Sequence, residues 1–111
     1  MTDKVYSMLG LAMKAGKIVS GSDICERAIK SGKVFLVIIS GDSSEGTSKK
    51  FKDMCIYRQI PYRILGDRYS LGNCTGKEER VVLALSDKGL SDVILRMIDE
   101  KSLLNGGELN G

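Results

Sequence analysis

The chain has no histidine and no tryptophan among its 111 residues, and only one proline. Without histidine it lacks the commonest general base near neutral pH and the commonest metal ligand, so Ser-His-Asp and Cys-His sites are excluded. Its three cysteines, Cys25, Cys55 and Cys74, are odd in number and form no CxxC pair, which disfavours both a disulfide framework and a zinc ribbon. No paired-carboxylate or metal-ligand cluster takes their place, so the expectation is a protein that is not an enzyme and needs no cofactor and no metal. There is no charged segment leading into a secretory apolar core, and no apolar run approaches the roughly 20 residues of a membrane span. The expected setting is a reducing cytoplasm, with no membrane partner. Strong net charge is missing too: the formal value is only +3, so the total alone does not identify a nucleic-acid binder.

The distribution of charge says more than the sum. Residues 1–33 carry six Lys or Arg against three acids, whereas from Asp87 onward five acids outnumber three bases. With 42% apolar residues the chain can bury one continuous core, and one domain over residues 1–101 is expected. Residues 102–111, ending in NGGELNG, have little to bury and read as a flexible tail.

Val5, Met8, Leu9, Ala12 and Met13 recur at helical spacing, and Gly16 can end that helix in a left-handed conformation. Residues 17–20 are too few for another helix and read as a short strand. Ser22 or Asp23 then caps a helix that stops at Gly32 and buries Ile24, Cys25, Ala28 and Ile29. Residues 34–39 are six apolar residues in a row, the pattern of a strand covered on both faces. A loop over 40–48 leads to a third helix, capped by Thr47 or Ser48, with Phe51, Met54 and Cys55 inward and Pro61 beyond its end. Residues 62–65 are a short strand, 69–71 one helical turn, and 81–85 a second doubly covered strand. Leu90, Val93, Ile94, Met97 and Ile98 mark a closing helix. Helices alternating with short strands, two of which need cover on both sides, predict an α/β fold: a three-layer α/β/α sandwich around a small mixed four-stranded sheet.

The segment GKIVSGSDICERAIKSG, residues 16–32, holds the most specific signal. A Gly-Ser-Asp step carries a strand into the first turn of a helix, where unpaired backbone N–H groups and the positive end of the helix dipole can hold a phosphate. Lys14, Lys17, Arg27 and Lys33 are expected around it. The plain alternative is an ordinary turn and N-cap among surface lysines. The LGNCTGK loop, residues 71–77, lacks Walker spacing, so it is read as a connection anchored by Leu71 rather than as a nucleotide loop. The 40–47 loop, SGDSSEGT, leaves the carboxyl end of a buried strand, a place where open α/β sheets bind ligands, but no convergent acids, bases or metal ligands accompany it.

The order of helix, GKIVSG, capped helix, AIKSGKVFLVIIS, and then LGNCTGK before a strand and a closing helix resembles the kink-turn-binding ribosomal proteins, the L-seven-Ae or L-thirty-e superfamily, and most of all its short stand-alone bacterial members. The resemblance runs over about residues 5–98. It implies the same sandwich, RNA as partner, a link to the ribosome, and an RNA-binding face at the start of the second helix and the nearby loops. Carried over by position, Gly21 matches the glycine whose backbone approaches RNA and Ser22 the small polar residue after it. Asp23 falls where the family has an Asn that contacts guanine, Ile24 falls where many members have Glu, and Arg27 matches a basic residue one turn on. Leu71, Gly72, Gly76 and Lys77 match the loop that packs on an extruded nucleotide. An ionised Asp only accepts hydrogen bonds, from a guanine N1–H or N2–H for example, and Ile offers none. The resulting expectation is a monomeric, non-catalytic binder of structured RNA. Lys17, Lys33 and Lys77 would meet phosphates, while Ser22, Asp23 and Arg27 would read bases and Leu71 would stack on one. The rival expectation is a protein-interaction adapter on the same fold.

Overall fold

Leu36–Ile39 (β2) and Val82–Leu85 (β4) form the middle of the molecule, with every residue of both strands buried. They pair antiparallel, Leu36 opposite Leu85 and Ile39 opposite Val82. Each carries side chains to both faces because each is covered on both faces, which is why neither shows apolar-polar alternation. Outside them lie two edge strands of three residues each, Ile18–Ser20 (β1) against β4 and Tyr62–Ile64 (β3) parallel to β2. The sheet order is β1-β4-β2-β3. This computed structural model describes the backbone of residues 4–110 and the side chains of residues 4–101.

Among the described residues there are five helices: α1 (Lys4–Lys14), α2 (Ser22–Lys30), α3 (Glu45–Arg58), α4 (Arg68–Cys74) and α5 (Lys88–Asn110). On one face of the sheet Val5, Leu9 and Ala12 of α1, Leu71 of α4, and Ile94 and Ile98 of α5 pack on Leu36, Ile38, Leu83 and Leu85. On the other, Cys25 and Ile29 of α2 and Phe51 and Cys55 of α3 pack on Val37, Ile39, Val82 and Ala84. The three-layer sandwich with a mixed four-stranded sheet is therefore the observed architecture. Arg63 of β3 ties that edge to α5 through a two-pronged ion pair with Asp99, at 2.7 and 2.9 Å.

Several local expectations need correction. The helix α3 starts at Glu45, capped by the Ser44 hydroxyl, which accepts from the Thr47 N–H at 3.2 Å. The cap thus lies three residues earlier than Thr47, because Glu45 and Gly46 join the first turn despite the loop-like composition around them. Pro61 stands two residues beyond a left-handed C-cap at Gln59, φ 59°. The expected single turn at 69–71 is a seven-residue helix whose cap, Asp67, accepts from the N–H groups of Tyr69 and Ser70. The closing helix, α5, has helical backbone to Asn110.

Candidate nucleic-acid interface

The strand registers divide the connections between two ends of the sheet. Ser20 of β1 faces Leu83, Ile39 of β2 faces Val82, and Ile39 lies beside Ile64 of β3. The exits of β1, β2 and β3 therefore share one end with the entry to β4. That end carries the β1–α2 junction at Gly21, the 40–44 and 65–67 loops, and the segment entering β4.

At the junction the chain turns into α2 through Gly21, whose φ of 100° and ψ of 149° is a backbone region open in practice only to glycine. Its N–H donates to the Val82 carbonyl at 3.1 Å and its carbonyl accepts the first helical bond, from Cys25 N–H at 3.0 Å. The expected side-chain cap is absent: neither Ser22 nor Asp23 caps this helix, both being already inside its first turn. The N–H groups of Ser22, Asp23 and Ile24 are thus the open donors of the helix start. Asp23 is exposed, and Ile24, expected in the core, is 48% exposed, because the buried stripe of α2 consists of Cys25 and Ile29. Arg27, one turn further, is also exposed and shares a shallow outward groove with Asp23, Glu26 and Lys30. Glu26 is held by Lys50 of α3 and by Lys30, at 2.9 Å for the latter. The hydrogen bond from Lys50 and then that from Lys30 push its carboxyl down to about 2, so α2 is clasped to α3 beside Arg27.

The segment entering β4 adds a residue that the sequence reading missed. Arg80 Nε donates to Ser20 Oγ at 3.0 Å and its Nη1 donates to the Glu79 carbonyl at 2.7 Å, setting a guanidinium at the last residue of β1, directly before Gly21. The only signal for it in the sequence was a cation just ahead of an apolar strand, and only the pairing of β1 with β4 brings the two together. Lys77 and Gly76 are exposed in the same segment, Gly76 with φ 75°.

Two expected contact residues are not available. Leu71 is completely buried in the core under α1 and α5, so it cannot stack on a base. Its helical register turns it inward, which fits the reading of the loop as anchored by Leu71 and not the stacking role that the resemblance implied. Gly72 is buried as well, and a Cβ there would meet the backbone of Glu79 at 2.5 Å. It is a packing glycine that lets the β4 approach lie against α4.

Lys17 and Lys33 are also misplaced by the linear reading. Lys17 precedes Ile18, which faces Leu85, and its carbonyl accepts from Ser86 N–H at 2.9 Å. Lys33 leads into Phe35, whose N–H donates to Leu85 O at 2.9 Å. Both lysines therefore sit at the opposite end of the sheet from Gly21, as does Lys14 at the close of α1.

No thiol is poised to react: burial raises Cys25 to about 12, and Cys55 and Cys74 to about 11. Among the described residues no group of three His, Cys, Asp or Glu side chains is placed to hold a metal ion, and no helix is long and apolar enough to cross a membrane. What the site offers is fixed donors: backbone N–H groups at a helix start and a guanidinium beside them, which suit an anion.

The family model of the ribosomal protein L7Ae/L30e/S12e/Gadd45 family matches residues 3–95. The chain is 38% identical to the RNA-binding protein YlxQ of Bacillus subtilis over 94 residues, 85% of this chain and 94% of that one. It is 31% identical to the large ribosomal subunit protein eL30B of Schizosaccharomyces pombe, covering 83% and 80%. Among solved structures, a Bacillus halodurans protein of unknown function superposes with a TM-score of 0.86 at 40% identity, covering 88% of this chain and 99% of that one. A Giardia lamblia 15.5kD RNA binding protein shares the fold, with a TM-score of 0.75 at 17% identity over 94% and 92% of the two chains.

Proposed function

This chain belongs to the ribosomal protein L7Ae/L30e/S12e/Gadd45 family, and from that membership we propose that it is a non-catalytic RNA-binding protein of the cytoplasm. It engages structured RNA, ribosomal or kink-turn-like, in association with the ribosome. The observation that carries this reading is the uncapped start of α2, where Gly21 at φ 100° leaves three successive N–H groups open. A phosphate held there gains fixed donors and the helix dipole without the cost of assembling a site. Arg80, held against Ser20, and Lys77 supply flanking positive charge. The Asp23 carboxylate accepts from a guanine N1–H or N2–H, Ser22 offers a hydroxyl, and Arg27 reaches the next phosphate or base along the helix. Ile24 replaces a polar contact with an apolar surface that packs against a sugar or base face.

The test is a titration of the purified protein, across a range of salt, with a kink-turn RNA and a length-matched plain duplex. A marked preference for the kink-turn, reduced about tenfold by Arg80→Ala with a salt slope shallower by about one, is the expected result. Equal binding to both RNAs would reduce the site to general phosphate contact. No binding at low salt would overturn the reading in favour of a protein-interaction adapter.

A further inference from the structure

The connections at the two ends of the sheet differ in charge. Where the strands β1, β2 and β3 begin, the segments 14–17, 30–35, 58–61 and 86–89 carry Lys14, Lys17, Lys30, Lys33, Arg58 and Lys88 against one acid, Asp87. At the Gly21 end, the segments 21–24, 40–45, 65–68 and 75–81 carry three cations against six acids. Helix ends explain part of this. Lys14, Lys30 and Arg58 lie in the last turns of α1, α2 and α3, where a cation offsets the negative end of the dipole. Lys17 and Lys33 have no such role, since both lie outside helices, and Lys88 opens α5, where a cation opposes the dipole and its ammonium pairs with Asp92 at 3.0 Å on the groove rim.

The same end has a shape as well as a charge. Between Gly32, Val34 and Phe35 on one side and Arg58, Ile60 and Pro61 on the other lies an open groove of about 460 Å³, with Lys88 and Asp92 at its rim. Phe35 is 41% exposed there, although its neighbours in β2 are fully covered. A flat aromatic ring set among cations is the combination that holds a nucleic-acid strand, the ring taking a base or sugar face and the cations taking phosphates.

We propose that this strand-start end is a second RNA-binding surface, in which Lys17, Lys33 and Lys88 meet backbone phosphates and Phe35 packs on an unpaired nucleotide. The inference rests on the proposed RNA-binding function for its occupant, but it uses none of the same residues. Lys17 and Gly21 are four residues apart in extended chain, about 13 Å, so the two surfaces lie at opposite ends of the same short strands. Docking one end on a folded RNA brings phosphates of a neighbouring segment to the other at high effective concentration. The domain then joins two RNA segments.

The experiment measures stoichiometry and salt dependence for the full chain with an excess of a short kink-turn RNA and of a separate unstructured single-stranded RNA. The wild type, Lys17→Glu/Lys33→Glu and Arg27→Ala/Arg80→Ala are compared. The expected result is two RNA molecules per wild-type protein, the second binding more weakly. The Lys17→Glu/Lys33→Glu protein should hold one, with its total salt slope reduced by about two. Arg27→Ala/Arg80→Ala should weaken the first event and leave the second. Phe35→Ala should weaken the second event about fivefold without changing the salt slope, which separates stacking from charge. One RNA per wild-type protein, with the lysine reversals inert, overturns the second surface while leaving the α2 site intact. Loss of binding in the lysine reversals alone overturns the α2 assignment instead. Capture of an acidic protein by this end, with RNA binding unaffected by the reversals, likewise sinks the proposal.

Discussion

The two ends of this sheet are built from the same four strands and reach opposite electrostatic characters, and the direction of the helices accounts for much of the contrast. α2, α3 and α4 all start where β1, β2 and β3 exit, so their positive dipole ends converge beside Gly21 and are answered by Asp23, Glu45 and Asp67. Two further acids there, Asp42 and Glu79, are engaged by Arg68, which pairs with Asp42 Oδ2 at 3.2 Å. Of the acids at that end Asp67 caps α4, Asp23 and Glu45 lie in first turns, and Asp42 and Glu79 clasp Arg68, so what that end offers an anion is backbone donors in fixed positions. The opposite end collects the C-termini of α1, α2 and α3 and their cations, and on our proposal it meets phosphates with charge and a base or sugar face with an open ring. Geometry can select one RNA shape, whereas charge of this kind is sequence-blind and fades with salt.

Several substitutions separate the two ends. The largest effect is expected from Gly72→Ala, whose methyl would press on the Glu79 backbone. A loss of about 3 kcal/mol in urea unfolding is expected, with the Arg80 segment displaced and the Gly21 end disabled while the lysine end persists in whatever remains folded. Gly21→Ala has free space for its methyl but must hold φ near 100°. Strain of about 1–2 kcal/mol is expected in the same measurement, together with weaker kink-turn binding. Unchanged stability would show that the junction relaxes freely.

The Glu26 clasp makes a pH prediction. Its folded pKa, about 2, lies below the ordinary carboxyl value of 4.5, so its contribution is complete above that ordinary value and drains away as pH falls towards 2. Glu26→Gln should flatten the stability-pH curve in that window and leave it unchanged near pH 7.5 in shape, though lower in level. A curve as steep as the wild type would remove the clasp from the account. The smallest effect belongs to Arg63→Ala, far from both surfaces in function. About 0.5–1 kcal/mol of stability should be lost, with RNA binding unaltered at either end, because the Arg63–Asp99 pair is two-pronged but largely exposed.

The fold was legible because its core is written in period. Leu36–Ile39 and Val82–Leu85 are unbroken apolar runs, and Val5, Leu9 and Ala12 keep helical spacing to the residue. Boundaries were less legible: Glu45 and Gly46 look like loop yet lie in the first turn of α3, and Leu71 looks like the tip of a glycine loop yet fills the core. In each case tertiary burial or a cap overrode local composition. The proposed contacts from Gly21 to Arg27 are near neighbours in sequence as well as in space, because they lie on one junction and one helix. Arg80 is not, since 60 residues separate it from Ser20 and only strand pairing joins them. The same blindness put Lys17 and Lys33 beside Gly21: four residues in a line look like neighbours until the extended strand between them is laid out.

β1 and β3 offer only three residues each, and β3 follows Pro61 and displays Arg63, whose guanidinium reaches across to Asp99. A rim so short and so guarded gives an incoming strand little ladder to extend. Copies crowded together in a cell are therefore expected to resist zipping into fibrils, which light scattering of a concentrated sample at neutral pH would register as a flat trace over days.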